Sequence, residues 1–246
     1  MRDELLDLIK QTNGLSIDCL KVIGTENETL IKGVDKDKTL FVEAILKKPI
    51  PEFAGEFGIS NMSLLNGLLN FANYRTSDAT FSVKTLTRNE KTTVEKFEFR
   101  NKVTGNEANF RATDPRAIPD QATIPKDIPW NVEITPSKTK VAEFTQLASL
   151  YSEVEKTFGI KTQGKDLQFL IGEVDNSASH TASMVFESNV KGELKDSLSW
   201  NTTQFLSVMK LSNNNPTTIK VTNRGVLLIS VETTYGTYNY FMRANR

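Results

Sequence analysis

The sequence predicts an α+β fold made of two similar domains, each with antiparallel β-sheets and two helices. Three observations carry that reading: a unit of roughly 110 residues written twice, strands joined mostly by polar hairpin turns, and a proline-studded segment between the copies. TLIKGVD (Thr29–Asp35) is echoed by QFLIGEVD (Gln168–Asp175), and the helical SNMSLLNGLLNF (Ser60–Phe71) by NTTQFLSVMKLS (Asn201–Ser212). ATFSV (Ala79–Val83) is echoed by TTIKV (Thr217–Val221), and NFRA (Asn109–Ala112) by FMRA (Phe241–Ala244). The echoes keep their order. They divide the chain into domains at 1–114 and 137–246, with a connector over 115–136.

A first helix is expected over about Asp3–Gln11, with Leu5, Leu6, Leu8 and Ile9 as its apolar stripe and Asn13-Gly14 as its stop. Strands follow over about Ile17–Ile23, Thr29–Val34 and Thr39–Leu46, parted by the turns GTENE and DKDK. After Pro49 and Pro51 comes a short strand, FAGEFGI. Ser60 or Asn61 caps a second helix to about Asn73, with Leu64, Leu65, Leu68 and Leu69 turned inward. Three strands at about Ala79–Leu86, Thr93–Arg100 and Glu107–Arg111 complete the half.

The second half repeats the scheme. A helix runs over about Lys138–Tyr151, a hairpin over Thr157–Thr162 and Leu167–Val174, and a strand over Thr181–Val190. Asp196–Trp200 leads into a helix over Thr202–Leu211, and strands at Thr217–Thr222, Val226–Thr233 and Thr237–Arg243 close the chain. Five of the eight prolines lie between Pro115 and Pro136, which favours an extended connector. Ile118, Ile124, Ile128 and Trp130 make it too apolar to hang free, and Trp130 is expected to anchor its end.

Composition narrows the function classes. The formal net charge is zero, so nucleic-acid binding, if present, has to come from the position of charges. One Cys and one His leave too few ligands for a transition-metal cluster and suggest no Ser-His-Asp or Cys-His pair. His180 reads as a turn residue, and neither a dinucleotide nor a P-loop glycine pattern is present. No apolar run is long enough for a membrane span, the N-terminus is amphipathic and acidic, and the lone Cys19 suits a reducing compartment. No enzyme, cofactor or metal is expected, and the location expected is cytoplasmic.

Several segments resemble the DNA sliding clamps of tailed phages, within the wider clamp family that includes PCNA. They are DPRAIP with IPKDIPWNVEITPS, TQGKDLQFLIGEVD, and SVMKLSNNNPTTIKVTNRGVLLIS, and the likeness extends along essentially the whole chain. The resemblance implies the DNA clamp fold: a homotrimer whose six domains form a ring with sheets outside and helices around duplex DNA. The edges joining subunits would come from Thr93–Arg111 and Thr181–Val190. Partners would be double-stranded DNA without sequence preference, a replicative DNA polymerase, a clamp-loader ATPase and further copies of the chain. Phosphate-facing candidates are Lys10, Arg75, Lys138, Lys140 and Lys210, Lys210 through the match of MKL. The outward face of the first helix also carries Asp3 and Asp7. A pocket for partner peptides would use Val34 and Leu40 beside the DKDK turn, Ile118 and Ile124 of the connector, and Phe241. A rival reading is a phage tail or baseplate protein with duplicated β-rich domains, and a third is an enzyme working through carboxylates.

Overall fold

Both halves follow one element order, helix, four strands, helix, three strands. The computed structural model describes residues 1–118, 124–125, 127–172, 180–195, 198–212 and 214–245. The chain divides into two compact units, Met1–Ala122 with Thr233–Tyr238, and Thr123–Glu232 with Asn239–Arg246. The segment 233–238 joins the first unit for a local reason. Thr233 and Tyr238 donate hydroxyl hydrogen bonds to Asp7 Oδ2 at 2.8 and 2.9 Å, and Lys47 Nζ donates to Thr233 O at 2.6 Å.

In the first unit, α1 (Arg2–Thr12) leads into β1 (Cys19–Gly24), β2 (Thr29–Val34), β3 (Leu40–Leu46) and β4 (Gly55–Ser60), hydrogen-bonded antiparallel in the order β4-β1-β2-β3. The helix α2 (Met62–Asn70) is followed by a 3-10 turn, Ala72–Tyr74, shorter than the helix to Asn73 that the sequence suggests. Strands β5 (Ala79–Arg88), β6 (Lys91–Asn101) and β7 (Glu107–Arg111) form a second sheet in the order β5-β6-β7. Phe53, Phe57, Phe97, Phe99 and Phe110 fill the interior, with Leu5, Leu8, Leu65 and Leu69 supplied by the helices.

The second unit opens with β8 (Val132–Ile134), paired with the later strand Thr217–Val221 through Ile134↔Ile219 and Val132↔Val221. The extended connector predicted over 115–136 therefore ends in a strand, because Val132 and Ile134 alternate inward in the proline-free run between Pro129 and Pro136. Next come α3 (Lys138–Tyr151), β9 (Thr157–Gln163), β10 (Asp166–Ile171), β11 (Ala182–Glu187), β12 (Leu198–Asn201) and α4 (Thr202–Ser212). Strands β13 (Thr217–Val221), β14 (Val226–Glu232) and β15 (Gly236–Arg243) complete the chain. The sheet order is β11-β10-β9-β12, with a second sheet containing β8, β13 and β14 in that order. Ser137 caps α3 by accepting from Lys140 N, and Asn201 caps α4 by accepting from Gln204 N. Phe144, Phe158, Phe169, Phe186, Phe205 and Trp200 form the core, with Phe169 and Phe186 stacked at 3.9 Å. The expected end of the second hairpin strand at Val174, and the first two residues of the segment expected over Asp196–Trp200, lie outside the described residues.

Candidate nucleic-acid interface

The helices of the first unit pack as a pair, α1 on α2. Arg2 ties them: Nη1 donates to Leu69 O at 3.0 Å and Nη2 to Tyr74 O at 2.6 Å, with the guanidinium 5.7 Å from the Phe81 ring. Burial, with Arg75 close by, pushes the Arg2 guanidinium below its ordinary value. Sequence reasoning missed this residue because its role is set by carbonyls at the far end of α2. Lys10 is exposed on α1, as is Asp3, and Arg75 is exposed after the 3-10 turn. Asp7 departs from the outward face expected of it: it is half-buried and accepts from Thr233 and Tyr238.

In α2 only Leu65 and Leu69 are buried, whereas Leu64 and Phe71, just past the helix, are exposed and Leu68 is half-buried. A 100° step per residue explains the difference from the four-leucine stripe, since Leu64 lies a quarter-turn off the Leu65–Leu69 line. The remaining outward positions are Ser63, Asn66, Gly67 and Asn70, none of them charged.

In the second unit α3 packs against α4. Lys138 Nζ donates to Asn214 Oδ1 at 2.5 Å, and Lys140 pairs with Glu143 at 2.8 Å. Lys210 is exposed in the last turn of α4 and forms no ion pair among the described residues. Between the helices runs a groove of about 280 Å³ lined by Thr145, Ser149, Ser152, Thr203 and Leu206, together with Glu155 and Lys156. Burial opposes ionisation of Glu155, but hydrogen bonds from the Thr157 hydroxyl and two backbone N–H groups hold its carboxyl below the ordinary value.

Each unit also presents an open sheet edge beside exposed apolar side chains. In the first, β7 ends its sheet and α2 packs next to it. The range Thr93–Arg111 proposed as an edge is thus only partly one, because β6 is flanked on both sides by β5 and β7. In the second, β11 ends its sheet and packs with α3, where Leu150 is exposed, as is Val154 in the turn after the helix; Tyr151 donates to Thr181 O at 3.0 Å.

Of the five peptide-pocket candidates, Val34, Leu40 and Ile118 belong to the first unit, and Ile124 and Phe241 to the second. Val34 and Ile118 share the outward face of the sheet β4-β1-β2-β3. Ile118 Cγ1 and Cys19 Sγ both close on Gly58, where an added Cβ would stand 3.0 Å from each. Leu40 does not join them: it is fully buried, and strand alternation turns it inward with Val42, Ala44 and Leu46. Its neighbour Phe41, the register partner of Val34, takes the outward place. The alternation in LFVEAIL carries that signal, since Phe41, Glu43 and Ile45 are the odd-face set. Ile124 and Phe241 are each half-buried.

Among the described residues no three His, Cys, Asp or Glu side chains group as metal ligands, and no helix is long and apolar enough to cross a membrane. No protein-family model and no curated protein matches the sequence. Solved structures do match. A PCNA from A. fulgidus, in a structure with the C-terminal region of FEN-1 bound, superposes with a TM-score of 0.66 at 12% identity, covering 99% of this chain and 96% of that one. The proliferating cellular nuclear antigen of Entamoeba histolytica gives 0.65 at 11% identity over 99% and 96%. That of Thermococcus kodakaraensis gives 0.64 at 12% over 100% and 97%. The chain therefore has the two-domain clamp fold of these PCNA structures, along essentially its full length.

Proposed function

We propose that this chain is a sliding clamp, three copies of which close head to tail into a six-domain ring that encircles duplex DNA and tethers a replicative polymerase. The observation that carries the reading is the likeness to PCNA over 99% of a chain that repeats one helix-and-strand unit twice. Ring closure would pair β7 of one copy with β11 of the next, satisfying two open edges at once. Leu64 and Phe71 beside β7 would then meet Leu150 and Val154 beside β11. A clamp has no reaction to catalyse: its effect is topological, holding the polymerase at high effective concentration near the primer end.

Partner peptides would dock on the outward face formed by Val34, Phe41 and Ile118 of the first unit. The FEN-1 segment bound to A. fulgidus PCNA supports this kind of partner. A polymerase and a clamp-loader ATPase as the specific partners, and a phage origin, rest on the resemblance to phage clamps. The test is polymerase run length on primed circular DNA with the cognate clamp loader and ATP. The reading predicts extension of run length that requires all of these components; unchanged run length refutes it.

A further inference from the structure

We infer that the open edge of β5 takes up an extended, acidic segment of another protein as an added antiparallel strand. The second unit carries the template for this pairing. There β8 lies along β13 through Ile219↔Ile134, Lys220↔Glu133 and Val221↔Val132, with Lys220 Nζ 3.0 Å from the Glu133 carboxylate. The echo of ATFSV in TTIKV makes β5 the counterpart of β13, yet among the described residues β5 ends its sheet with no strand beyond it. The difference shows in burial. Ile219 and Val221 are 0% and 1% exposed, whereas Phe81 and Val83 at the matching places are only half-buried. Phe81 packs on Phe97 and Phe99, so it and Val83, two residues on, face the interior along the edge.

Backbone polarity agrees with the template. Asp78 O accepts from Lys102 N on the β6 side, so alternation directs the N–H and C=O of Ala79, Phe81 and Val83 to the open edge. Val221 O accepts from Asn131 N in the same sense in the second unit. Ala79 N donates to Thr76 O, which leaves Phe81 and Val83 to bond an incoming strand. The register shift between Lys84 and Thr85 ends the regular run, giving a partner about five residues, or about 17 Å, to pair with. Charge selects the occupant. The strand β5 carries Lys84 and Arg88 and no acid. Lys84 is loosely held, 3.9 Å from Glu98, whose carboxylate sits 2.9 Å from Lys96. Acids at alternate positions of an added strand would stand beside Ser82 and Lys84 as Glu133 stands beside Lys220, and the apolar residues between them would cover Phe81 and Val83. Two copies of β5 would bring two bases each and no acid, which opposes self-pairing. Since β7 lies at the other edge of this sheet, the site does not compete with ring closure and stands without the clamp reading.

The test is fluorescence anisotropy of the full-length protein with a labelled peptide of alternating valine and glutamate, with amide hydrogen exchange of residues 79–88 measured alongside. Saturable binding, slowed exchange at Phe81 and Val83, and no binding of the same peptide with lysine in place of glutamate are expected. Val83→Pro removes an edge N–H without touching the β6 ladder and is expected to weaken binding about 10-fold. Lys84→Glu, an exposed substitution that leaves the fold intact, is expected to weaken it about 5- to 10-fold. Absence of binding at millimolar peptide, affinity unchanged by both substitutions, or protection confined to another strand overturns the inference. A wild-type mass that falls on Val83→Pro places a second copy on this edge and overturns it as well. A single-chain mass with peptide binding retained refutes the clamp reading alone.

Discussion

Replacing Leu150 with Asp tests the proposed subunit contact where it is most exposed. Leu150 is 81% exposed, Val154 61%, Leu64 55% and Phe71 48%. Full burial of such a side chain is worth about 1.5–3 kcal/mol, so weighting by these fractions gives about 4–7 kcal/mol per interface from the four residues. Leu150 alone contributes about 1–2.5 kcal/mol of that. An aspartate in its place also loses hydration on contact, which raises the expected penalty to about 2–4 kcal/mol, or about 30- to 1000-fold in association. Sedimentation at micromolar concentration reads the outcome. The wild type is expected at three times the 27.6 kDa of one chain, and Leu150→Asp at the mass of a single chain. Because the side chain lies outside the core, thermal unfolding of the separated chain is expected to shift by no more than about 0.5 kcal/mol. A Leu150→Asp protein with the wild-type mass, or a wild type that sediments as one chain, would refute the reasoning.

Leu40→Ala is expected to cost about 2–5 kcal/mol in urea unfolding, whereas Phe41→Ala costs much less and weakens binding of a labelled peptide from the polymerase terminus. Gly58→Ala forces Thr113, Cys19 and Ile118 off the sheet face, where the added Cβ would approach Thr113 Cβ to 2.8 Å. Reduced peptide affinity with the oligomeric mass unchanged is the expected result. Arg2→Met removes two hydrogen bonds from a charged donor and is expected to lower stability by about 2–4 kcal/mol, read by urea unfolding. Hydrogen bonding from Arg116 lowers the Asp114 carboxyl from 3.8 to about 2. Its contribution to the turn Pro115–Ala117 is therefore present above the ordinary carboxylate range and lost as pH falls through about 2. An NMR titration of Asp114 with a midpoint near the ordinary value would contradict this.

Repetition made the fold legible. Most strand and helix positions follow from alternation and turn residues within short windows, and those local signals agree across the two copies. Where the sequence misled, the cause was long-range or angular. Leu64 looked like core because adjacent leucines in LLNGLL were read as one stripe, although helical rotation separates Leu64 from Leu65. Leu40 flanks the DKDK turn in sequence, although strand alternation points it inward. Asp7 and Arg2 could not be placed from α1 alone, since their partners are Thr233, Tyr238, Leu69 and Tyr74. The positions of the lysines were readable, but the pairing of Lys138 with Asn214 and of Lys140 with Glu143 was not.

The central claim is topological linkage to DNA, and one measurement addresses it directly. The protein is loaded onto nicked circular duplex by the cognate clamp loader and ATP, separated from free protein, and the circle is then cut once. The account predicts stable retention on the circle and rapid loss on linearisation, prevented when both ends are blocked. Loss from the intact circle at the same rate as from the cut one would contradict it.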